Sequence, residues 1–297
     1  MSHTAAATEK GAKKRNQDRS VIHRLTTQAE EESGDSEVVL GVFDGHGDNG
    51  EEVAEFLNVR LAHHASTEDL RAQLRSDPVA ALKSLFDRLA ADLAQEAPTI
   101  DCYISGSTAC LAHIWNSKLT VGNLGDTRAV LASYPEAGKK DKDKDKDQDG
   151  PVKERSAKAN VITRDHTCQE EEEKERILAA GGRVESLFEN GQPIGQTPFL
   201  PFKVLYLIPP ILLFLFSFFF FFFFFLGPLR VFKGTLPYPG LVVTRSFGDT
   251  VAHKVGVTAE PEITPIDLIE EDLFIIIATD GIWDILSPRQ AVKFIQK

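Results

Sequence analysis

One apolar stretch of the chain ends in residues that can hold a metal ion and donate a proton. Residues 39–47 read VLGVFDGHG, so a strand-like run ends in Asp44, Gly45 and His46. The two carboxylate oxygens of Asp44 can bridge two hard divalent cations, and the Gly45 carbonyl, with no Cβ beside it, can turn toward a metal. The His46 imidazole can donate a proton near neutral pH. Alone the triplet is weak evidence, because Asp-Gly is also a common turn.

A second apolar stretch supports the same interpretation. Residues 273–278 read LFIIIA, and Asp280 and Gly281 follow shortly after them. Two buried strands that each lead into Asp-Gly predict two carboxylates converging at one end of a sheet. Two cations about 4 Å apart would lower the pKa of a bridging water and neutralise phosphate charge, while a histidine protonates a poor alkoxide leaving group. Carboxylate, carbonyl and water ligands favour Mg²⁺ or Mn²⁺.

Further motifs follow one another along the chain in a definite order. They are residues 16–18 (NQD), 105–109 (SGSTA), 122–128 (GNLGDTR), 163–166 (TRDH), 175–184 (ERILAAGGRV), 239–249 (PGLVVTRSFGD) and 278–286 (ATDGIWDIL). Together with VLGVFDGHG, this series resembles the metal-dependent Ser/Thr protein phosphatases of the PPM, or type 2C, class. The matches run from about residue 11 to residue 297.

The resemblance implies an α+β fold, a four-layer αββα sandwich. Two mainly antiparallel sheets would pack face to face with helices outside, and the metal site would lie at one end. Residues 1–10 are small and polar and are predicted to be disordered. Residues 11–297 are predicted to form one phosphatase domain with insertions.

The resemblance also assigns roles to the chemical residues. Asp44 would bridge two Mg²⁺ or Mn²⁺ ions, with the Gly45 carbonyl on one ion and Asp280 on the other. Asp18 would bind waters on the metal ions and not the ions themselves. Loss of a residue with this role often lowers metal affinity or activity 10- to 100-fold. His46 would be the general acid.

Two more aspartates carry an alternative interpretation. Asp126 (GNLGD) and Asp249 (SFGD) resemble acidic residues that shape the site or bind a third, weaker metal. Each follows a glycine, so each is also interpretable as an ordinary turn residue. His166 in TRDH is interpreted as structural.

The chain departs from the family pattern at both ends. The family carries an arginine that grips substrate phosphate five residues before the position of Asp18, and Lys13 stands there in this chain. Lysine supplies charge but no bidentate fork. The family also continues through a D-N-(I/V)-T strand that supplies another metal-binding aspartate. This sequence stops at Lys297, inside a predicted helix, so we expect that ligand and at least one core strand to be missing from it.

Two segments read as insertions. Residues 137–158 contain KKDKDKDKDQDG, which cannot bury apolar area and is predicted to be a solvated loop. A Ca²⁺ loop is excluded there because lysine occupies the alternate positions and no glutamate closes the loop.

The second insertion, residues 196–227, is apolar. Residues 204–226 carry no charge, include an unbroken phenylalanine run, and are long enough to span a bilayer. Our hypothesis is a translated intron, because phenylalanine codons are pyrimidine-only and a pyrimidine tract precedes splice acceptors. A membrane anchor and a genuine insertion are the alternatives, and sequencing the transcript across this region decides among them.

Composition limits the partners. The formal net charge of −11 argues against binding to a phosphate backbone, so no nucleic acid is expected. Three cysteines without a CxxC motif predict inert thiols in a reducing compartment. The polar N-terminus contains no secretory signal, so a cytoplasmic or nuclear location is expected. Phosphorylated proteins would be the substrates, the chain is expected to be a monomer, and a membrane enters only if residues 204–226 are genuine.

These patterns lead to one functional prediction and one alternative. The prediction is metal-dependent hydrolysis of phosphoserine and phosphothreonine on proteins by a metal-activated water. The alternative is a catalytically inactive phosphatase-like binding module, because the last aspartate of the family is missing from this sequence. Retention of Asp18, Asp44, His46 and Asp280 favours the enzyme for the intact gene product, whereas the missing aspartate favours the inactive module for this sequence as it stands.

Overall fold

The secondary structure follows the patterns of apolar residues along the chain. The computed structural model describes residues 4–9, 15–26, 30, 36–96, 99–135, 156–186, 188–189, 192–193 and 227–296. Lys13, residues 137–155 of the charged insertion and residues 204–226 of the apolar insertion lie outside this part of the chain. None of the helices within it is both long and apolar enough to cross a membrane.

Most of the elements are short strands, and three helices follow one another directly after β2. The strands in the described ranges are β1 (Asp18–Arg24), β2 (Glu37–His46), β3 (Gly106–Ser107), β4 (Ala109–Trp115), β5 (Lys118–Leu124), β6 (Arg128–Ser133), β7 (Lys158–Val161), β8 (Gly182–Ser186), β9 (Phe188–Glu189), β10 (Gln192–Pro193), β11 (Leu229–Lys233), β12 (Pro239–Leu241), β13 (Phe247–Gly248), β14 (Glu262–Asp267) and β15 (Asp272–Ala278). The helices there are α1 (Gly50–Ala65), α2 (Glu68–Ser76), α3 (Pro78–Glu96), α4 (Glu171–Ala179), α5 (Thr250–His253), α6 (Asp280–Trp283) and α7 (Pro288–Ile295).

The chain divides into two compact units, a division that the sequence analysis did not anticipate. The first comprises residues 1–166, 245–250 and 258–297, and the second comprises residues 167–244 and 251–257. All of the aspartates predicted to form the site, together with His46, belong to the first unit.

Two antiparallel sheets form the centre of the first unit. The larger has the strand order β13-β3-β2-β4-β5-β14, and β1 also pairs with β2. The smaller has the order β15-β6-β7. Because successive side chains of a strand point to opposite faces, Ala109 and Leu111 of β4 enter one apolar cluster, whereas Cys110 and Ala112 enter another.

These apolar clusters define four layers in the first unit. Helices α1, α2 and α3 pack on one face of the larger sheet. The other face of that sheet packs against the smaller sheet, where residues of β4 and β5 meet those of β6 and β15. Residues of α6 and α7 cover the outer face of the smaller sheet. The predicted αββα sandwich is confirmed.

The second unit has its own core around a three-stranded antiparallel sheet, ordered β12-β11-β8. Residues from α4, β11 and the segment 251–257 form its apolar cluster. Within this unit the buried Glu173 carboxylate accepts two hydrogen bonds from Arg176, both at 2.7 Å, and one from Thr244 Oγ1 at 2.5 Å. Glu173 and Arg176 therefore connect α4 to Thr244, because Arg176 also donates to the Thr244 carbonyl at 2.9 Å.

The three cysteines are buried free thiols, as predicted. Burial raises the pKa of Cys102 and of Cys168 to about 11, and it raises the pKa of Cys110 as well. Because the thiolate is the reactive form, these side chains act as small apolar groups.

A buried charge cluster lies where β2 begins. Glu37 is only 1% exposed and accepts hydrogen bonds from Arg71 Nε at 3.0 Å, Arg75 Nε at 2.9 Å and His113 Nε2 at 3.1 Å. Burial by itself would raise the pKa of Glu37, but these donors hold it below its ordinary value. Burial lowers the pKa of His113, so a neutral imidazole donates to an ionised carboxylate that the two arginines neutralise.

This cluster predicts a clear stability loss for Glu37→Ala. The substitution removes the buried acceptor of Arg71, Arg75 and His113, while both arginines keep Glu30 as a partner, so the free energy of unfolding should fall by about 2–3 kcal/mol. Urea unfolding at pH 7 measures it. The matched control is Glu51→Ala, because Glu51 is 38% exposed and pairs with Arg19 at the surface, where a pair contributes about 1 kcal/mol or less. Similar losses in the two variants would contradict the buried-cluster interpretation.

Candidate metal centre

Strand β2 delivers the first acidic residues of the site. The antiparallel register of β1 and β2 places Asp18 opposite Asp44. The Gly45 amide donates to the Gln17 carbonyl at 3.2 Å, which fixes the end of the strand. A Cβ at Gly45 would lie 2.2 Å from the Gly50 carbonyl oxygen. Glycine is therefore required at position 45, because the start of α1 packs directly on the backbone there.

His46 is held by a carboxylate that is distant in sequence. Its Nε2 lies 2.6 Å from Asp249 Oδ2, and Ser246 Oγ donates to the same oxygen at 2.7 Å. The Asp44 carbonyl accepts a further hydrogen bond from the imidazole. Burial opposes the charged imidazole, but Asp249 and, to a smaller extent, Asp126 raise the pKa of His46 above its ordinary value. Asp249 therefore favours the protonated imidazole, which is the form that can donate a proton.

Asp126 lies in the turn between β5 and β6, among other carboxylates. Burial is the main reason that its pKa rises to about 7, and the charges of Asp280 and Asp165 raise it further. Asp165 is itself held by two hydrogen bonds from Arg128, whose guanidinium lies 5.8 Å from the centre of the Trp283 ring. Asp126 is therefore a half-buried member of an acidic group, and its side chain is not that of a solvated turn.

Asp280 reaches the site from the smaller sheet. It begins α6 directly after β15, and the preceding Thr279 Oγ1 donates to Asp18 Oδ2 at 3.0 Å. The prediction that both Asp-Gly strands end in one sheet is wrong, because β2 and β15 belong to different sheets. The two sheets pack face to face, so strands from both layers bring their acidic ends together.

The donor set suits a hard divalent cation. Carboxylates and backbone carbonyls are the ligands that Mg²⁺ and Mn²⁺ prefer. Asp249 Oδ1 is buried without a hydrogen-bond partner in the described part of the chain, while Oδ2 holds His46. Burial and the neighbouring carboxylates both raise the pKa of Asp126, so a bound cation would stabilise its ionised form.

The same residues do not form a closed cage. Among the described residues, no three carboxylate, imidazole or thiolate groups lie close enough together to enclose one ion. This arrangement agrees with the coordination of Mg²⁺, which commonly uses one or two carboxylates and keeps several waters. The residues present therefore fit a cation that stays partly hydrated.

Several contacts of the site were not predicted from the sequence. Ser246 and Thr279 each hold a predicted site residue through a hydroxyl group, and both lie within motifs, SFGD and ATDG, in which only the aspartate was assigned. The pairing of His46 with Asp249 was also missed, since Asp249 was interpreted only as a site-shaping or metal-binding residue. Lys13, the predicted phosphate-binding residue, lies outside the described residues.

Comparison with known proteins agrees with this four-layer architecture. A family model described as protein phosphatase 2C matches residues 5–297. The chain belongs to the protein phosphatase 2C family.

Two plant proteins of this family show the extent of the sequence similarity. It is 31% identical over 268 residues to Probable protein phosphatase 2C 64 of Oryza sativa subsp. japonica, covering 88% of this chain and 50% of that protein. It is 32% identical over 254 residues to Probable protein phosphatase 2C 35 of Arabidopsis thaliana, covering 85% and 61%. The chain thus spans about half of one relative and three fifths of the other.

Two solved structures share the fold. Serine-threonine phosphatase 2C from Toxoplasma gondii superposes with a TM-score of 0.59 at 20% identity, covering 97% of this chain and 80% of that one. A C. elegans sex determining protein superposes with a TM-score of 0.62 at 20% identity, covering 98% of this chain and 54% of that one.

The contact between His46 and Asp249 predicts a titration change in Asp249→Asn. The asparagine keeps the shape of the side chain but removes the charge that favours the imidazolium, so the pKa of His46 should fall. Titration of the His46 ring protons by NMR in metal-free protein measures the change. Asp48→Asn, on the exposed neighbouring turn, is the matched control and should leave the His46 titration in place. An unchanged His46 pKa in Asp249→Asn would contradict the pairing.

Proposed function

We propose that this chain carries the catalytic domain of a metal-dependent phosphatase that hydrolyses phosphoserine and phosphothreonine in proteins. The observation that carries the proposal is the His46 imidazole, held 2.6 Å from Asp249 beside the acidic group that contains Asp44, Asp126 and Asp280. The family and the names of the relatives support the same reaction.

In this proposal, the acidic residues bind the cations in three different ways. Asp44, the Gly45 carbonyl and Asp280 would hold two Mg²⁺ or Mn²⁺ ions, and Asp18 would act through hydrating waters. A third, weaker ion would lie near Asp126 or Asp249. Divalent cations supply charge neutralisation on the phosphate and activation of the water nucleophile.

The protein itself supplies the proton for the leaving group. A serine or threonine alkoxide is a poor leaving group, so its departure requires a proton from a positioned acid. His46 is suited to this role because Asp249 favours the protonated imidazole and fixes the direction of Nε2. Ser246 in turn fixes the Asp249 carboxylate.

The geometry favours an enzyme over an inactive phosphatase-like binding module. The described part of the site consists mainly of carboxylates, which repel a phosphate group unless cations are bound, and bound cations are what the hydrolytic reaction uses. The substrates would be phosphorylated proteins, with Lys13 as a cationic contact to the phosphate. A monomer in the cytoplasm or nucleus agrees with the composition described above.

The proposal predicts complete dependence on divalent cations and different losses for two aspartates. Hydrolysis of a phosphothreonine peptide should stop in EDTA and return with Mn²⁺. Asp44→Asn should reduce kcat/KM more than the isosteric Asp126→Asn, because Asp44 would contact both ions. Steady-state assays of the two variants over a range of Mn²⁺ concentrations measure this. Activity that survives chelation, or equal losses in the two variants, would refute the assigned roles.

The acid role of His46 predicts a dependence on the leaving group. In His46→Gln, kcat should fall most for an alkyl phosphate such as a phosphoserine peptide. It should fall less for p-nitrophenyl phosphate, because an aryloxide leaves without full protonation. Parallel assays of the two substrates test this, and His63→Gln on the exposed side of α1 is the control. An equal loss on both substrates would remove His46 from the acid role.

A further inference from the structure

The turn that carries Asp126 is fixed on both sides. Gly125 has a φ of +103°, and a Cβ there would lie 2.5 Å from Thr108 Cγ2. On the other side, Thr127 Oγ1 lies 2.6 Å from Thr108 Oγ1 in a buried hydrogen bond. Residues other than glycine rarely adopt this backbone conformation. Asp126 is the next residue, so its orientation depends on the hydrogen bonds that fix the peptide groups of Gly125.

His166 holds both peptide groups of Gly125. The His166 amide donates to the Gly125 carbonyl at 2.9 Å, and the Gly125 amide donates to His166 Nδ1 at 3.1 Å. The side chain is fully buried. An imidazole nitrogen that accepts a hydrogen bond carries no proton, so the proton of this ring must lie on Nε2.

Glu262 selects that tautomer. Its Oε2 lies 3.2 Å from His166 Nε2 and also accepts from Arg164 Nε at 3.2 Å. Asn123 adds to the same group, because its Nδ2 donates to the Gly125 carbonyl at 3.2 Å and to the Arg164 carbonyl at 2.9 Å. The proton on Nε2 therefore faces a carboxylate, and the lone pair on Nδ1 faces the Gly125 amide.

We propose that His166 is a positioning residue for the phosphatase reaction, because its unprotonated Nδ1 fixes the Gly125 peptide and thereby directs the Asp126 carboxylate into the acidic site. Asp126 interacts with the charges of both His46 and Asp280, so a rotation of the turn changes its position relative to both. This inference rests on the proposed function. It gives the TRDH segment a role in the reaction beyond the structural one predicted from the sequence.

Two substitutions distinguish the contributions of the two ring nitrogens of His166. In His166→Asn, the side-chain oxygen takes about the place of Nδ1 and can accept from the Gly125 amide. In His166→Gln, the longer side chain reaches toward Glu262 and offers no acceptor at the Nδ1 position. We expect His166→Gln to lower kcat about 10-fold or more on a phosphothreonine peptide, without a matching rise in KM.

His166→Asn should retain kcat within about threefold of the parent chain, as expected when the hydrogen bond to Gly125 is kept. His63→Gln is the matched control for the histidine-to-glutamine change. Circular dichroism and the melting temperature establish that each variant is folded. Equal losses in the Asn and Gln variants would overturn the proposal. If the Gln variant does not fold, a loss in the Asn variant as large as that in His166→Ala would overturn it.

A double-mutant cycle tests whether His166 acts through Asp126. In the Asp126→Asn background, His166→Gln should cause no further loss of kcat, because the carboxylate that it positions is already gone. A purely structural role would instead give losses that multiply. Multiplying losses, or a normal kcat in Asp126→Asn alone, would overturn the proposal.

Thermal melts of metal-free protein with added MnCl₂ give a readout that does not require turnover. Binding to the folded state raises the melting temperature, and His166→Gln should reduce that Mn²⁺-induced rise as Asp126→Asn does. The Asn variant and His63→Gln should keep it. An unchanged rise in His166→Gln would overturn the positioning role. A parent chain that shows the rise but does not hydrolyse phosphopeptides would refute the proposed function alone.

Discussion

The mutual repulsion of buried and half-buried carboxylates is the constraint on which the rest of the site depends. Asp18, Asp44, Asp126, Asp249 and Asp280 come from separate segments and meet where the two sheets of the first unit pack together. Each carboxylate without a cation requires compensation from the protein. Asp18 accepts from Thr279, and Asp249 accepts from Ser246 and His46. Asp126 has less compensation, and its raised pKa records the difference.

The surrounding fold keeps these charges in place by fixing backbone rather than side chains. Gly45 packs against the first turn of α1, and Gly125 packs against Thr108. Both positions bring main chain within contact distance of a neighbouring element, so the acidic residues that follow or precede them have little freedom. At the other end of β2, the cluster around Glu37 anchors the strand to α2. A strand that is fixed at both ends presents Asp44 and His46 in one orientation.

Local sequence patterns predicted several of the strands and helices, but contacts between residues that are distant in the sequence were not predicted. The apolar runs that lead to Asp44 and to Asp280 lie in β2 and β15, as predicted, because a strand that is buried on both faces is apolar along its length. Helix α2 was not predicted, since Leu70 and Leu74 are its buried residues and the rest is polar. The aspartates of the site were found through motifs. Their partners Ser246 and Thr279 were not, because hydroxyl side chains are common and nothing local marks their contacts.

The hydrogen bonds of the site join residues that are far apart in the chain. Asp18 and Thr279 are separated by 261 positions, and His46 and Asp249 by 203. During synthesis, a chain that has emerged through residue 245 contains Asp18, Asp44, His46 and Asp126, but neither Asp249 nor Asp280. Contacts of such long separation form only after the intervening segments have been brought together. The contacts between His46 and Asp249 and between Asp18 and Thr279 therefore cannot form in a nascent chain until residues 249 and 279 have left the ribosome.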